Sequence, residues 1–558
     1  MGNKGGIKLE SWAISALLGI VVLLHWLWTY PHALSYQEQY QLFLLTGDYF
    51  VERISVAGGL ADYLGEFLTQ FYYIPWVGAT ILALLTVGVQ RAVFHACQGN
   101  LVALILSLIP IAMLLRLQGD ESVLLSYTVA LLLTLLAANT MKGKWMWADV
   151  VLFPLLYWCL GPMAWLYAGL RVMHLGRNSW WMLSILFVTQ LLAYRTVLQQ
   201  YPFVNVMLGI GYYRRLMEIP TMMWLIPLVI LLLSLMISRS HTSSKWVSPN
   251  MAVRCICYLF LFVDICFFVR GMYDKEKYEL IRQDALIRHE QWDEVIRRAE
   301  KYQVKTAFSS QAVNLALAMK RQLAERMFDF YQSGEDALLM PMIRDLTSDL
   351  PTAEAFYRLG MVNSAQRYMF DVQESILNYR KSGRCEKRLA ECAIINGKYA
   401  VAKKHLALLK KSLFYRAWAE DAETYLYKES RINAHPEWGR LRRLRFKEDF
   451  LFSYPEMDKM LGRLFVNNPD NKMALDYFMG QLMLKGDVQG FMQYMGWVQQ
   501  YGGYRQMPKG YQDAVMCIQR HGDLPGSKYG DYVKRKIQES LTPSPSPKGE
   551  GSKVKNEE

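Results

Sequence analysis

The chain has 558 residues, of which 53% are hydrophobic and 13% aromatic, and its formal net charge is +13. Residues 1–270 carry 16 basic and 11 acidic side chains, whereas the remainder carry 46 and 38. One soluble domain is excluded, because the first half is too apolar and the second too polar. The basic excess of the second half is spread over stretches of mixed sign, so no nucleic-acid partner is predicted. The eight cysteines have neither metal-ligand spacing nor a readable disulfide framework.

Long apolar runs fill the first half. Residues 11–30 and 251–269 are each long enough to cross a hydrocarbon core as a helix. A basic flank without a small-residue cleavage site precedes the first run, which predicts a retained signal anchor. Together the runs predict a polytopic transmembrane bundle of about eight or nine spans over residues 1–271, with a large outer loop at 30–73. The further runs lie at about 74–94, 101–115, 123–138, 150–175, 181–198 and 222–237.

The apolar run at 150–175 is interrupted by Pro154 and by the pair Gly161-Pro162. It forms either one broken span or a hairpin of two short helices with its tip at that pair. The hairpin is favoured, because it keeps the basic residues on both sides of the run at one face of the membrane. With the N-terminus in the cytoplasm, the hairpin predicts that the loop 30–73 and the soluble half lie outside it.

Three charged residues deeper in the membrane half are candidate ligands. Asp264 lies in the middle of the last apolar run, where a carboxylate must pair, face a wet cavity or be protonated. It is either a ligand or proton-relay residue or one end of an interhelical hydrogen bond. Arg214 and Arg215 lie in the aromatic-rich segment 199–220, which either rests in the interface with arginines on phosphate or forms an ordinary interfacial loop.

The second half contains two segments, 360–369 and 397–406, that align without gaps. Each begins with a glycine after an amphipathic stretch, and an alanine follows at Ala365 or Ala402. The pattern resembles the turn and second helix of a tetratricopeptide repeat, in which glycine closes the turn and alanine permits close helix packing. An all-α solenoid is therefore predicted over 272–540.

The final stretch, 541–558, consists of proline, serine, glycine and charged residues without apolar periodicity. It predicts a disordered tail.

The loop at 30–73 is rich in carboxylates, glutamines and aromatic residues, and it includes Glu38 and Asp48. With this loop and the C-terminal repeats, the sequence resembles an uncharacterised bacterial family of polytopic membrane proteins. More distantly it resembles the GT-C class of glycosyltransferases, which use a lipid-linked sugar donor. That resemblance implies that Glu38 occupies the acidic motif of the first outer loop, and that Asp48 occupies a second recurring position. The chain departs from the paired acidic residues of the class, since Gln37 precedes Glu38.

The GT-C resemblance implies a transferase at the outer face of the bacterial inner membrane, with a polyprenyl-phosphate sugar as donor. Glu38 and Asp48 would be catalytic, by taking the proton of an acceptor hydroxyl or by holding a divalent cation. Cationic side chains would bind the phosphate leaving group. The predicted substrate-binding residues are Arg53, Arg214, Arg215 and Asp264.

The alternative function is a membrane-anchored scaffold that binds a protein partner of the cell envelope through its repeats. In that case the loop carboxylates are solvated and only set the topology. A transporter is a third alternative, which the lack of evident inverted halves disfavours. The sequence leaves open whether the chain is an enzyme.

Overall fold

We describe a computed structural model of the chain. It covers residues 2–97, 101–141, 146–176, 179–208, 212, 219–240, 259, 263, 274–343, 347–376, 381–446, 456–520 and 524–541. Within these ranges every regular element is a helix, which confirms the all-α prediction. The predicted tail beyond residue 541 lies outside them.

The chain forms two compact units that are not contiguous in sequence. The first unit contains Met1–Ile281 together with two later segments, Ile376–Lys387 and Lys404–Thr424. The second unit contains Arg282–Ser375, Arg388–Lys403 and Tyr425–Glu558. The predicted domain boundary at residue 271 stays a prediction.

Several helices of the first 240 residues begin at a proline or a glycine. Pro31 and Pro75 occupy first turns, where the missing N–H costs no helical hydrogen bond. The helices are α1 (Gly2–Leu24), continued by a π turn at His25–Thr29, α2 (Pro31–Gln39), α3 (Gly47–Ile54), α4 (Gly59–Thr69), α5 (Pro75–Ala96), α6 (Leu101–Leu106), α7 (Leu108–Gln118), α8 (Leu125–Thr140), α9 (Met146–Leu160), α10 (Ala164–Leu175), α11 (Met182–Thr196), α12 (Phe203–Leu208) and α13 (Met222–Ser240), with 3₁₀ turns at Gln70–Tyr73 and Gly161–Met163.

Three segments are long and apolar enough to cross a membrane, namely Leu9–Thr29, Pro75–Ala96 and Trp147–Leu175. Other apolar helices of the described residues are shorter, at 10 to 17 residues. The predicted span at 251–269 lies outside the described residues except for Leu259 and Val263. The count of eight or nine spans and the sidedness of the soluble half therefore stay predictions.

The third of these segments turns back on itself. Gly161 has a φ of +64° between α9 and α10, a left-handed conformation that glycine adopts without strain. An Arg171 Nη2 to Asp149 Oδ2 ion pair of 2.6 Å joins the two helices near their far ends. On one straight helix these residues would lie about 33 Å apart. The contact confirms a hairpin with its tip at Gly161-Pro162, as the sequence favoured.

The helices after residue 274 are short, and several are joined by tight turns. They are α14 (Lys275–Arg288), α15 (Trp292–Lys301), α16 (Ala307–Met319), α17 (Leu323–Arg326), α18 (Asp349–Leu359), α19 (Val362–Glu374), α20 (Gly383–Ile395), α21 (Tyr399–Leu409), α22 (Arg416–Glu423), α23 (Glu429–Ala434), α24 (Pro436–Leu444), α25 (Met457–Asn467), α26 (Lys472–Lys485), α27 (Val488–Tyr501), α28 (Lys509–Gln519) and α29 (Lys528–Leu541), with 3₁₀ turns at Met327–Asp329 and Glu335–Ala337.

The two aligned sequence segments fold as predicted locally. Gly360 ends α18 with a φ of +88°, and Gly397 separates α20 from α21 with a φ of +70°. Ala365 and Ala402 are both fully buried on the helix that follows. A Cβ at Gly360 would lie 2.8 Å from the Leu444 Cβ, so this turn also needs glycine for close packing. The structure thus confirms two helix–glycine turn–helix pairs.

Candidate functional site

Glu38 is buried, with only 3% of its surface exposed. It lies on α2, a helix whose residues from Ala33 onward are buried. The Tyr415 hydroxyl donates a hydrogen bond of 2.9 Å to Glu38 Oε1. Tyr415 belongs to one of the two later segments of the first unit. The predicted catalytic carboxylate therefore ties the outer loop to a distant part of the chain.

Further contacts join the residues next to Glu38 to the same later segments. Arg384 Nη1 donates to Gln39 Oε1 at 2.8 Å, and the Ser382 hydroxyl donates to the Gln39 carbonyl. The backbone N–H of Leu45 donates to the Lys411 carbonyl at 2.8 Å. We call these contacts, together with the Glu38–Tyr415 hydrogen bond, the loop clamp.

Gly383 makes the loop clamp sterically possible. A Cβ at this position would lie 2.4 Å from Cε2 of the Tyr415 ring. Real Cβ atoms do not approach a ring so closely, so any larger residue would displace Tyr415 from Glu38. The clamp therefore depends on a glycine as well as on its hydrogen bonds.

A second carboxylate of the loop, Glu66 on α4, is buried against α3. Arg53 Nε donates to Glu66 Oε2 at 2.9 Å, and the Tyr49 hydroxyl donates to the same oxygen. Burial and the adjacent Glu66 raise the pKa of Tyr49 well above its ordinary value. Burial alone would lower the pKa of Arg53, but Glu66, Tyr49 and Asp62 together outweigh it and raise the pKa. Arg53 is therefore a firmly charged partner of Glu66.

A small cavity lies between this loop and α8, and its free space, with the opening included, is about 260 Å³. Gln37, Gln41 and Glu66 line it from the loop, and Ser126 lines it from α8. The Ser126 hydroxyl donates to Asp62 Oδ1 at 2.8 Å, and Gln41 Nε2 donates to the Glu66 carbonyl at 2.9 Å. Glu38 does not line this cavity, although its neighbour Gln37 does.

The outer loop also meets the tip of the hairpin. The backbone N–H of Gly58 donates to the Trp158 carbonyl at 2.8 Å, and the Trp158 indole N–H donates to the Ile54 carbonyl at 2.9 Å. A Cβ on Gly58 would lie 3.5 Å from the Gly161 Cα, and both glycines have positive φ. The two turns pack backbone to backbone.

Of the predicted site residues, Glu38, Asp48 and Arg53 lie in the described part of the chain, and their surroundings differ. Asp48 is exposed in the first turn of α3, whereas Glu38 is buried on α2. Arg53 pairs with Glu66. Arg214, Arg215 and Asp264 lie outside the described residues. No group of three potential His, Cys, Asp or Glu metal ligands occurs in the part of the chain that the structure describes.

A polar cleft of about 330 Å³ lies in the second unit, where the glycine turn of α18–α19 faces the end of α24. Arg445 Nη1 donates to Asn396 Oδ1 at 2.8 Å, and Asn396 Nδ2 donates to Asn363 Oδ1 at 2.8 Å. Burial and the nearby Arg442 lower the pKa of Arg445. The first turn of α19 also lines the cleft, and its peptide dipoles favour an anion. The cleft is therefore electrostatically suited to an acidic group.

Another buried acid of the second unit is Asp476 on α26. Arg321 Nη1 donates to Asp476 Oδ2 at 2.6 Å, and the Tyr504 hydroxyl donates to Asp476 Oδ1. Burial raises the pKa of Asp476 to about 6, although both partners act to lower it. Burial in a helical core thus outweighs both partners in setting the pKa of this carboxyl.

Sequence reasoning did not single out Glu66, Tyr415, Arg384 or Arg445. A signal existed for Glu66, since Arg53 is the only basic residue among several acidic ones between 30 and 73. Nothing in the sequence pairs Glu38 with Tyr415, which lies 377 residues away.

The described residues define an all-α protein with helices that are apolar enough to cross a membrane and a first loop that is packed rather than open. The chain belongs to the Family of unknown function (DUF6057), whose model matches residues 6–541. This match agrees with the expected resemblance to an uncharacterised family, and the GT-C resemblance stays a prediction. Neither a curated protein nor a solved structure matches the sequence.

Proposed function

We propose that the protein is a membrane-anchored helical-repeat scaffold that binds a protein partner of the cell envelope. The observation that carries this proposal is the polar cleft beside Arg445, a cavity of about 330 Å³ on the soluble half. Burial and the nearby Arg442 both disfavour the positive charge of Arg445. A negatively charged group that binds beside Arg445 would relieve this effect. The partner therefore presents an acidic side chain or a carboxyl terminus to this cleft.

The helix pairs supply the frame for such binding. In this proposal the pairs at Gly360 and Gly397 are tetratricopeptide-like units, and their neighbours stack into a solenoid. The apolar helices of the first half form a multi-pass anchor in the bacterial inner membrane, with the soluble half in the periplasm. The loop clamp supports a structural rather than catalytic role for Glu38, because its carboxylate is buried and bound by Tyr415.

Site-specific photocrosslinking in cells tests the scaffold. A benzophenone amino acid at Phe446, which lines the cleft, should form a discrete adduct with one protein. Arg445→Glu should abolish that adduct by repelling the acidic group. Arg443→Glu is the matched control, because Arg443 lies two residues earlier and is exposed outside the cleft. Absence of an adduct, or equal loss in both variants, would contradict the proposal.

A second candidate is the GT-C-like transferase that uses a polyprenyl-phosphate sugar. The specific observation in its favour is the small cavity beside the loop, which Glu66 rather than Glu38 lines with a carboxylate. Glu66 would accept the proton of an acceptor hydroxyl there.

Surface-glycan composition separates the two functions. The transferase predicts that Glu66→Gln abolishes a glycan modification, because the amide keeps the shape and loses the basicity. Glu38→Gln should do the same only if Glu38 is catalytic. Glu52→Gln serves as the control, since Glu52 is an exposed carboxylate of the same loop. Normal glycans in all three variants would exclude the transferase and agree with the scaffold.

A further inference from the structure

A large apolar crevice of about 790 Å³ lies in the first unit. Its walls come from α8, the hairpin tip, α10, α11 and α13, and they include Leu166, Leu183 and Leu231. This volume includes the open mouth of the crevice, so the enclosed part is smaller. It differs from the polar cavities of the loop, because its lining is almost entirely hydrocarbon and aromatic.

The polar atoms of its lining mostly point to partners within the protein. The Tyr127 hydroxyl donates to the Met223 carbonyl at 3.1 Å, and the Tyr212 hydroxyl donates to the Leu160 carbonyl. The Trp165 indole N–H donates to Gln190 Oε1 at 3.0 Å. The hydrogen-bond donors of these three side chains thus bind acceptors within the protein and not within the crevice. Water or a polar ligand would gain little there.

The crevice opens between two exposed apolar stripes. On α13, Leu228 lines the mouth and is 49% exposed. Leu225, Leu232 and Met236 are exposed at the helical spacing that places them on the same face. On α11, Phe187, Val188, Leu191 and Leu192 are exposed near Leu183. Both stripes belong to apolar helices, so a hydrocarbon surface leads into a hydrocarbon-lined opening.

We propose that the crevice binds one acyl chain of a membrane phospholipid, held between α10, α11 and α13. The occupant is a hydrocarbon chain because the lining presents no charged side chain. It comes from the surrounding bilayer because the mouth is continuous with the exposed stripes. Hydrogen-bond specificity is absent, so the site selects for chain length and shape. The headgroup stays outside the crevice.

The site is tested on the full-length protein in lipid nanodiscs. A phosphatidylglycerol with a diazirine at the end of one acyl chain serves as the probe. We expect photo-adducts on the peptides that contain residues 162–169 and 223–231 after mass-spectrometric mapping. Leu183→Trp fills the crevice, so these adducts should be lost. Leu192→Trp is the matched control on the same helix, because Leu192 is exposed and does not line the crevice.

Three results would overturn the proposal. They are absence of adducts on those peptides in the unmodified protein, equal labelling in both variants, and displacement of the probe by a polyprenyl phosphate but not by excess phosphatidylglycerol. If Leu183→Trp fails to fold, Leu228→Trp at the mouth should block the same adducts. Monodisperse elution and an unchanged melting temperature show which variants are folded. None of these measurements depends on the protein partner of the scaffold.

Discussion

Glu38 shows how burial changes the role that can be inferred for a single carboxylate. In a loop next to an apolar run, an acidic residue predicts either catalysis or solvation. Here it accepts a hydrogen bond from Tyr415 within the loop clamp. Its place in the loop was readable from the sequence. Its burial was not, because it depends on Tyr415, Ser382 and Arg384, which join the loop only when the chain is folded.

Tyr415→Phe should destabilise the protein. The substitution removes the donor to Glu38 while leaving the carboxylate buried, and a lost hydrogen bond to a charged group costs about 1.5–3 kcal/mol. Thermal unfolding in detergent should therefore show a lower melting temperature. Tyr427→Phe is the control, because Tyr427 is largely exposed. Equal melting temperatures for the two variants would show that the clamp hydrogen bond contributes nothing.

Asp476 gives a pH dependence of known sign. Its pKa of about 6 in the folded state exceeds the value of 3.8 for an unperturbed carboxyl, so the folded state binds the proton more tightly. The stabilisation from this group is complete below about pH 4 and is lost as the pH rises to about 6. The pKa difference of about two units corresponds to roughly 3 kcal/mol in the free energy of unfolding.

The measurement compares melting temperatures of the protein and of Asp476→Asn between pH 4 and 7. We expect the difference between the two melting temperatures to change over this pH range. The Asp476 carboxyl titrates there, whereas the amide of the asparagine variant does not. The exposed Asp531→Asn should show the pH profile of the unmodified protein. A profile of Asp476→Asn that parallels the unmodified one at every pH would disprove the shift.

At the level of elements, the hairpin was predictable and its details were not. Gly161-Pro162 and the positions of basic residues favoured a turn, and the Asp149–Arg171 ion pair shows it. Pro154 also suggested an interruption, yet α9 runs through it. A proline removes one N–H donor and bends a helix, whereas the reversal needs a residue that accepts positive φ. The break therefore falls at Gly161.

Asp149→Leu should weaken the hairpin strongly. It leaves the buried Arg171 guanidinium without its carboxylate, and breaking a buried pair from one side costs about 3–5 kcal/mol. The double variant Asp149→Leu with Arg171→Met should recover most of that loss, since no buried charge remains. Thermal unfolding of both in detergent measures the difference. A single variant as stable as the unmodified protein would show that the pair does not hold the hairpin.

The whole molecule consists of two compact units, and one of them takes in segments from distant parts of the sequence. The change of composition near residue 270 predicts a membrane half followed by a soluble half, and that boundary stays a prediction. The first compact unit also contains Ile376–Lys387 and Lys404–Thr424, which composition does not reveal. Sequence periodicity identifies helices and their apolar faces. It does not say which of two cores an amphipathic segment joins.

A fragment of residues 275–540 tests this division. Its own apolar stripes should keep it helical by circular dichroism. The residues of the loop clamp would lose their partners, so limited trypsin should cut near Arg384 and Arg416 faster than in the full-length protein. Cleavage within the second unit should be unchanged and is the internal control. Equal protection of both segments in the fragment would show that they fold without the loop.

The loop clamp can form only after the later residues of the chain have been synthesised. Glu38 leaves the ribosome 377 residues before Tyr415. At about 5–20 residues per second, the loop waits roughly 20 to 75 seconds for the residues that complete it. During that interval Gln39 and Leu45 have no clamp partner, and α2 must remain soluble or be shielded by a chaperone. The first loop of the chain is thus among the last parts to mature, and a shortage of shielding factors should harm it before any other region.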